Sequence, residues 1–393
     1  MAFNKNLSRR KFLSGTGALA LAPMALNKLE LPATMTAAVQ SAAIVRRKLG
    51  KTDIEVPIVS MGVMNADNPA VIQESYKTGV RLFDTAQGYQ QGNNERMIGT
   101  VIGNLNVRKD VIIQTKAAAL PLAQSTAAER TKALIERVDE SLARLNTDYL
   151  DIFLVHGPTS EQMTDSGVRE ALTELKKQKK VRCVGVATHS AAEHLNLAAK
   201  DGFYDTITFM FNFTMAQDTA LLAAIKTAAS AGVGLIAMKS QAASRGKQAG
   251  PPVNQTAALK WVLRHQEITT AIPGYTNFEH LKENFSVATG GLDYNDTEKK
   301  FLSERNLQAR IQFCRQCETC RPTCPKGVDI PTLMRTHMYA AGYGNFVHAR
   351  ATLDEIASNV SLKNCSDCSG CEAKCPNYVC IGDNIRDLKA MYL

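Results

Sequence analysis

Long apolar runs are missing near the start of this chain: the mildly apolar stretch from Gly15 to Leu26 is broken by Pro23. It falls short of the roughly 20 residues that cross a bilayer. A long basic run is missing too. The formal charge of +9 invites a nucleic-acid reading, but residues 1–41 hold five Lys or Arg and one acid. The remaining +5 is spread along the chain, so no nucleic acid is expected as a partner. A credible glycine-rich phosphate loop is also absent. Gly15-Thr16-Gly17-Ala18-Leu19-Ala20 has the spacing of a dinucleotide fingerprint, but no strand precedes it and no βαβ unit surrounds it. Cysteine is nearly absent before residue 314, where Cys183 stands alone in an apolar stretch. What the chain does have is ordinary globular composition, 45% apolar and 21% charged, in 393 residues, a length that suits two domains.

The N-terminus has the layout of an address. Ser8-Arg9-Arg10-Lys11-Phe12-Leu13 resembles the twin-arginine export motif, and a short apolar stretch and small residues from Ala33 to Ala43 follow it. The resemblance implies a removable signal over residues 1–41, passage through the twin-arginine translocase, and a periplasmic location or one otherwise outside the cytoplasmic membrane.

From Val56 the chain alternates β-rich runs with amphipathic stretches. The candidate strands are Val56–Met61, Arg81–Thr85, Val111–Lys116, Tyr149–His156, Val181–Thr188, Thr206–Phe213, Gly234–Lys239 and Thr269–Pro273. Several are near-continuous apolar runs, as expected of parallel strands buried on both faces. Thr126-x-x-Glu129 predicts a capping box at a helix start, and Thr276-x-x-Glu279 suggests another. Eight such units predict a (β/α)8 TIM barrel over residues 46–292 rather than an open doubly wound sheet. Residues 293–393 are expected to form a small, mainly helical second unit. In it Asp296 to Gln312 reads as a linking helix, and Leu333 to Ile356 as helix that packs the unit onto the barrel.

Barrel chemistry sits where the strands end. Here the ends carry Asp84, Tyr89 shortly after it, Lys116 and His156. Each alone has a bland reading, as a cap, a solvated end or a rim histidine; together they suit carbonyl reduction. Hydride arriving at a carbonyl carbon leaves charge on the oxygen, and Tyr89 would protonate it. Lys116, held by Asp84, would lower the tyrosine pKa from its usual value of about 10, and His156 would orient the carbonyl. Phe83-Asp84-Thr85-Ala86-x-x-Tyr89, with Asn94-Glu95 opening the next helix, resembles the signature of the aldo-keto reductases. That resemblance implies catalytic roles for Asp84, Tyr89, Lys116 and His156, an extended NADP or NAD, and a small carbonyl or alcohol substrate. The cofactor contacts it implies are Ala187 and Thr188, Thr208, Met238 and Lys239, Gly274, Glu283 and Asn284. Gly274 and His280 stand where the family's Lys and Arg grip the 2′-phosphate, which leaves NAD and NADP both open.

Nine cysteines crowd between Cys314 and Cys380. Cys314, Cys317, Cys320 and Cys324-Pro325 form one C-x2-C-x2-C-x3-C-P run, and Cys365, Cys368, Cys371 and Cys375-Pro376 repeat it. Structural zinc favours two close pairs, haem attachment needs a His after C-x-x-C, and a disulfide framework would be odd as two identical runs. The spacing resembles two-cluster bacterial ferredoxins. It implies two [4Fe-4S] clusters, one on Cys314, Cys317, Cys320 and Cys375, the other on Cys365, Cys368, Cys371 and Cys324. Cys380 is surplus. Two classes of function follow: an exported carbonyl or alcohol oxidoreductase, or an electron-transfer protein that meets a redox partner and uses its barrel as a docking platform.

Overall fold

The computed structural model describes residues 43–242, 253–304, 307, 311–366, 368 and 370–393. The expected export signal and the Gly15–Ala20 fingerprint lie outside the described residues. Two short strands open the described chain. β1 (Arg46–Lys48) and β2 (Glu55–Pro57) pair antiparallel, Arg47 opposite Val56. They are followed by eight parallel strands in sequence order: β3 (Met61–Gly62), β4 (Leu82–Asp84), β5 (Ile112–Ala117), β6 (Leu150–His156), β7 (Val181–Thr188), β8 (Thr206–Met210), β9 (Gly234–Met238) and β10 (Thr270–Ala271). Bridges from Val59 to Ala271 and from Gly62 to Gly274 bring the last strand back to the first, so the sheet closes as a (β/α)8 barrel.

The first candidate strand needs correction. Val56–Met61 is apolar enough for a barrel strand, but its first half belongs to the hairpin. Leu49, Ile54 and Val56 are buried with Leu82, Ile152, Leu154 and Ile236, inside the barrel. The hairpin lies against the start of β9, where Lys51 N donates to Gly232 O at 2.8 Å. An apolar plug and an apolar strand look alike in sequence, and this one leaves β3 only two residues long.

Burial on both faces explains the strand composition. Every residue of β6 is buried except His156 at its end, which is half-buried. Gly185 of β7 has no room for a side chain, because a Cβ there would stand 2.1 Å from Thr206 O on β8. Outside the sheet, the helix Ala127–Leu145 buries Leu134, Val138, Ser141, Leu142 and Leu145, one stripe at helical spacing. Its predicted capping box is present: Glu129 N donates to Thr126 Oγ1 at 3.3 Å and Thr126 N to Glu129 Oε2 at 2.7 Å. The second proposed cap shifts by one residue. The helix Phe278–Gly290 is capped by Asn277, whose side chain accepts from His280 N at 2.8 Å, while Thr276 Oγ1 reaches His280 Nδ1 at 2.9 Å.

The C-terminal region is helical but broken. The expected linking helix is interrupted: Asp296–Leu302 forms its first part under an Asn295 capping box, and Leu307 and Ile311 are helical again. The stretch from Leu333 is not one helix: Ile330–His337 runs into a wide π turn, Met338–Gly342, and a new helix spans Phe346–Asp354. A last helix is Ile381–Tyr392. Val328, Ile330, Leu333, Leu362, Ile381 and Leu388 form a second core that includes Cys320. The π turn packs elsewhere: Tyr339 and Ala340 are buried together with Met64 of the barrel rim. Among the described residues, no helix is long and apolar enough to cross a membrane.

Candidate active site

β4 and β5 deliver an acid and an amine to the same point. Lys116 Nζ donates to both Asp84 carboxylate oxygens, at 2.7 and 2.8 Å, and to Thr85 O at 2.7 Å. Both side chains are nearly fully buried, so neither ion is stable there without the other. Gln114 Nε2 adds a 2.6 Å bond to Asp84 Oδ1. Tyr89 follows on a turn with left-handed backbone at Gln90 (φ 50°), Gln91 (φ 56°) and Gly92 (φ 83°). Such strain persists only where neighbours hold it. Gln90 Nε2 anchors this turn by donating to Ala66 O at 3.0 Å. Asn94 and Glu95 brace the same loop from below. Asn94 Nδ2 donates to Val63 O at 2.8 Å, Asn94 Oδ1 accepts from Thr85 Oγ1 at 2.7 Å, and Glu95 accepts from Thr115 and Arg144, each at 2.6 Å.

The result is one cavity of about 680 Å³ at the C-terminal ends of the strands. Asp84, Tyr89, Lys116 and His156 all line it. Lys116 Nζ stands 5.0 Å from the Tyr89 ring centroid, and the Tyr89 and His156 rings meet edge-on at 6.4 Å. Burial, with the charge of Lys116 second, holds the His156 pKa well below its usual value. A neutral imidazole can donate a hydrogen bond without carrying charge. Tyr89 departs from the sequence expectation. Its pKa is raised well above 10 rather than lowered, by burial first and then by Asp84 and Tyr343. The lysine's charge is spent on the carboxylate, and the site is roofed.

That roof was not legible in the sequence. Tyr339, Tyr343, Gly344 and Phe346, from the π turn and its surroundings, line the cavity opposite the strand ends. His348 meets Tyr89 edge-on at 5.5 Å and Tyr339 at 4.5 Å. Asn345 Nδ2 reaches Asn65 Oδ1 on the barrel at 2.8 Å. Two barrel residues complete the wall: His189 Nε2 and Lys239 Nζ are 2.6 Å apart, and Lys239 Nζ also meets Tyr339 Oη at 3.3 Å. Burial and then Arg335 hold the Lys239 pKa well down, with Cys314 opposing. The available signal was density: Tyr339, Tyr343, Phe346 and His348 fall within ten residues of a chain that is 6% aromatic.

The expected cofactor contacts divide. Met238, Lys239 and Gly274 line the cavity, and no atom lies within 4 Å of where a Gly274 Cβ would stand. Ala187, Thr188, Thr208, Glu283 and Asn284 are not among its lining. Thr188 Oγ1 accepts from Ser190 N at 3.0 Å, and Thr208 Oγ1 is buried in the barrel, accepting from Gln114 at 3.2 Å. Asn284 Oδ1 takes the amide of Gln241, a lining residue, at 2.6 Å. Asn284 Nδ2, Ser240 Oγ and Gln255 Oε1 are buried without a hydrogen-bond partner among the described residues. Leaving such atoms unpaired costs about 1–3 kcal/mol each. Ser240 and Gln255 line the cavity and Asn284 adjoins it through Gln241, an arrangement that fits a polar, dinucleotide-sized ligand.

The cysteines sort into two sets. Cys375 and Cys317 act electrostatically on Cys314 and Cys320, whereas Cys324, Cys368 and Cys371 act on Cys365. This is the crossed grouping that the ferredoxin resemblance implies. Burial is the main reason that the Cys314, Cys320 and Cys365 thiols are each pushed up to about 11. Among the described residues no three His, Cys, Asp or Glu side chains could hold a single metal ion. A single ion draws its ligands to one point, whereas a cubane spreads its thiolates over four corners. Gln316 Nε2 donates to Cys314 Sγ at 3.1 Å, and Asn377 N to Cys375 Sγ at 3.3 Å. Cys314 and Cys380 line a second cavity that shares Lys239 and Gly342 with the first. Cys183 is a buried strand residue, its thiol pushed up to about 12 by burial.

The comparisons agree with both halves. Residues 63–250 match the model of the Aldo/keto reductase family, and residues 313–379 match that of the 4Fe-4S dicluster domain. An uncharacterised oxidoreductase of Bacillus subtilis is 34% identical over 36% of this chain, which spans 48% of that protein's length. L-galactose dehydrogenase of Arabidopsis thaliana is 26% identical over 66% of the chain and 92% of its own. The structure of an aldo-keto reductase from Klebsiella pneumoniae in complex with NADPH superposes with a TM-score of 0.53 at 21% identity, over 66% of this chain and 94% of that one. The barrel is therefore similar to the Aldo/keto reductase family over residues 63–250, and the C-terminal region to the 4Fe-4S dicluster domain over residues 313–379.

Proposed function

We propose that the protein interconverts a small carbonyl compound and its alcohol, with Tyr89 as the proton donor. The observation that carries this reading is the convergence of Asp84, Tyr89, Lys116 and His156 on one buried cavity. A nicotinamide dinucleotide, NAD or NADP, supplies the hydride when bound. Met238, Ser240, Gln241 and Gly274 would hold it, with Asn284 acting through Gln241. His156 donates to the carbonyl oxygen and fixes its direction. Tyr89 gives its proton to that oxygen as charge develops, and Asp84 keeps Lys116 beside the phenol so that the phenolate left behind is stabilised. The roof excludes water, which strengthens each of these interactions. The raised Tyr89 pKa makes the phenol a reluctant acid until charge appears on the oxygen.

The remainder of the proposal concerns setting. Eight cysteines hold two [4Fe-4S] clusters, which supply one-electron transfer when bound and exchange electrons with a redox partner protein or brace the tail. The chain is exported through the twin-arginine translocase to the periplasm. The docking-platform alternative leaves four buried, mutually arranged polar side chains without a purpose.

The test is Tyr89→Phe, which keeps the ring and removes the proton. Carbonyl reduction is expected to fall at least ~10²-fold, the scale of general acid catalysis. Unchanged turnover would reject the reading. Export is tested separately by changing Arg9 and Arg10 to Lys, which should retain the protein inside the cell.

A further inference from the structure

Among the described residues the active-site cavity is lined by a single carboxylate, Asp84, and both of its oxygens are bound by Lys116 at 2.7 and 2.8 Å. Lys239 lines the same cavity without such compensation. Its Nζ contacts the His189 ring nitrogen at 2.6 Å and the Tyr339 hydroxyl at 3.3 Å, and it makes no ion pair among the described residues. Its backbone is left-handed, at φ 51°. A lysine pays conformational energy for that, and the fold maintains it: Asn212 Nδ2 donates to Lys239 O at 3.1 Å. Arg335 stands close enough to act on His156, His189 and Lys239, and its own carboxylate, Glu355, lies at 3.1 Å on the solvent side. Burial first, and then the cationic neighbours, keep His156, His189 and Lys239 short of protons, so the cavity is poised to take up charge when an anion enters, and among the described residues its lining holds no further acid to answer it.

We propose that the substrate is an organic acid, bearing a carboxylate beside the carbon that reacts, and that Lys239 from the barrel and Tyr339 from the roof grip this carboxylate. The idea rests on the carbonyl-reductase reading and adds the substrate class to it. A carboxylate has two oxygens to fill; its charge favours the protonated form of Lys239, and the resulting ammonium and the Tyr339 hydroxyl offer two donors on neighbouring positions. The placement suits the chemistry: Tyr339 packs on His348, which packs on Tyr89, and Lys239 acts on His156. With its acid group held there, the adjacent carbonyl oxygen points to Tyr89 and His156. The reaction is then a 2-oxo acid taking a hydride at carbon from the nicotinamide and a proton at oxygen from Tyr89, giving the 2-hydroxy acid, or the reverse. Because Tyr339 belongs to the cysteine-rich domain, the barrel alone would hold only half of the carboxylate clamp.

Calorimetry on the full, cluster-loaded chain with saturating NADH or NADPH tests this without turnover. The probes are oxamate, an unreactive 2-oxo carboxylate mimic, and oxamide, its neutral counterpart. Oxamate should bind at least about tenfold tighter, since a charge-assisted pair is worth about 1.5–3 kcal/mol. Lys239→Met should erase that preference, Lys239→Arg should restore part of it, and Tyr339→Phe should reduce it by a smaller factor. Cluster absorption and unfolding temperature report whether each variant is folded. Equal affinity for the two probes in the wild type would overturn the proposal. So would a Lys239→Met variant that weakens the dinucleotide and oxamate by the same factor, because the lysine would then serve the pyrophosphate. Failure of the Tyr89→Phe test instead, with oxamate still preferred, would reject the carbonyl chemistry and leave the anion site standing.

Discussion

Leu154 of the barrel is packed among Leu82, Ile152 and Ile236 in a core that holds one lone thiol, Cys183, whereas the C-terminal unit packs Val328, Ile330 and Leu388 against five of its cysteines. The first core is complete as chain. The second has Cys320 buried in it, with Cys314, Cys324, Cys365 and Cys375 packed around. A small core interrupted by thiols depends on what the thiols bind, because ligation then supplies much of the folding energy. The contrast also concerns function, since the less self-sufficient unit roofs the site of the more self-sufficient one.

The sharpest way to separate the two is to remove a thiolate. Cys320→Ala should cost the protein one cluster and unfold the C-terminal unit, while the barrel keeps its near-native circular dichroism. Limited proteolysis should then cut after about residue 302, where the helix Asp296–Leu302 ends. Simultaneous unfolding of both units would show that the barrel depends on its roof. The converse variant is Leu154→Ala. A fully buried leucine in a close-packed barrel should lose about 2–5 kcal/mol of barrel stability. Its cluster absorption should be unchanged at temperatures where the barrel is still folded.

The seam between the units is where acid should act. Burial, then Lys239, Arg335 and Lys116, lower the His348 pKa from 6.5 to about 4. His156 and His189 are lowered in the same direction. In each case the unfolded or undocked chain takes the proton first. Their contribution to stability is therefore complete above pH 6.5 and is lost as pH falls toward about 4. Unfolding temperature should drop across that window, and His348→Gln should make the drop shallower. A slope unaffected by His348→Gln would mean that the ring is solvated, not docked on Tyr89.

What the sequence made legible follows the same division. Seven of the eight barrel strands, the Thr126 cap and the tetrad were readable, because period, capping and strand-end position are local signals. The two cysteine runs were readable from their spacing. The β1–β2 hairpin was not, because Val56 is equally apolar as a plug and as a strand. The roof was not readable either, since no local pattern ties Tyr339 or His348 to a rim some 250 residues earlier in the chain, as the separation from Tyr89 shows. That is also why the direction of the Tyr89 shift was missed. Lys116 was visible in sequence, but the burial that raises the Tyr89 pKa, and the contribution of Tyr343 from the C-terminal region, were not.

The smallest expected effect lies within the cysteine-rich unit. Its two sets differ in what reaches the sulfurs. Gln316 Nε2 donates to Cys314 Sγ at 3.1 Å, Thr319 Oγ1 to Cys317 Sγ at 3.4 Å, and Asn377 to Cys375 Sγ and Cys317 Sγ at 3.3 and 3.6 Å. Among the described residues no hydrogen bond reaches a sulfur of Cys324, Cys365, Cys368 or Cys371. Donors to a thiolate stabilise the more negative, reduced cluster and raise its potential. The cluster on the Cys314 set should therefore have the higher potential, and electrons should settle there, beside the cavity that shares Lys239 with the active site. Gln316→Leu removes one donor and keeps the bulk. One hydrogen bond is worth about 1 kcal/mol, so the higher of two potentials in a redox titration followed by electron paramagnetic resonance should fall by on the order of tens of millivolts. The lower potential should stay in place. If the lower one moves instead, the assignment of the two sets is reversed, and the electron path runs away from the barrel.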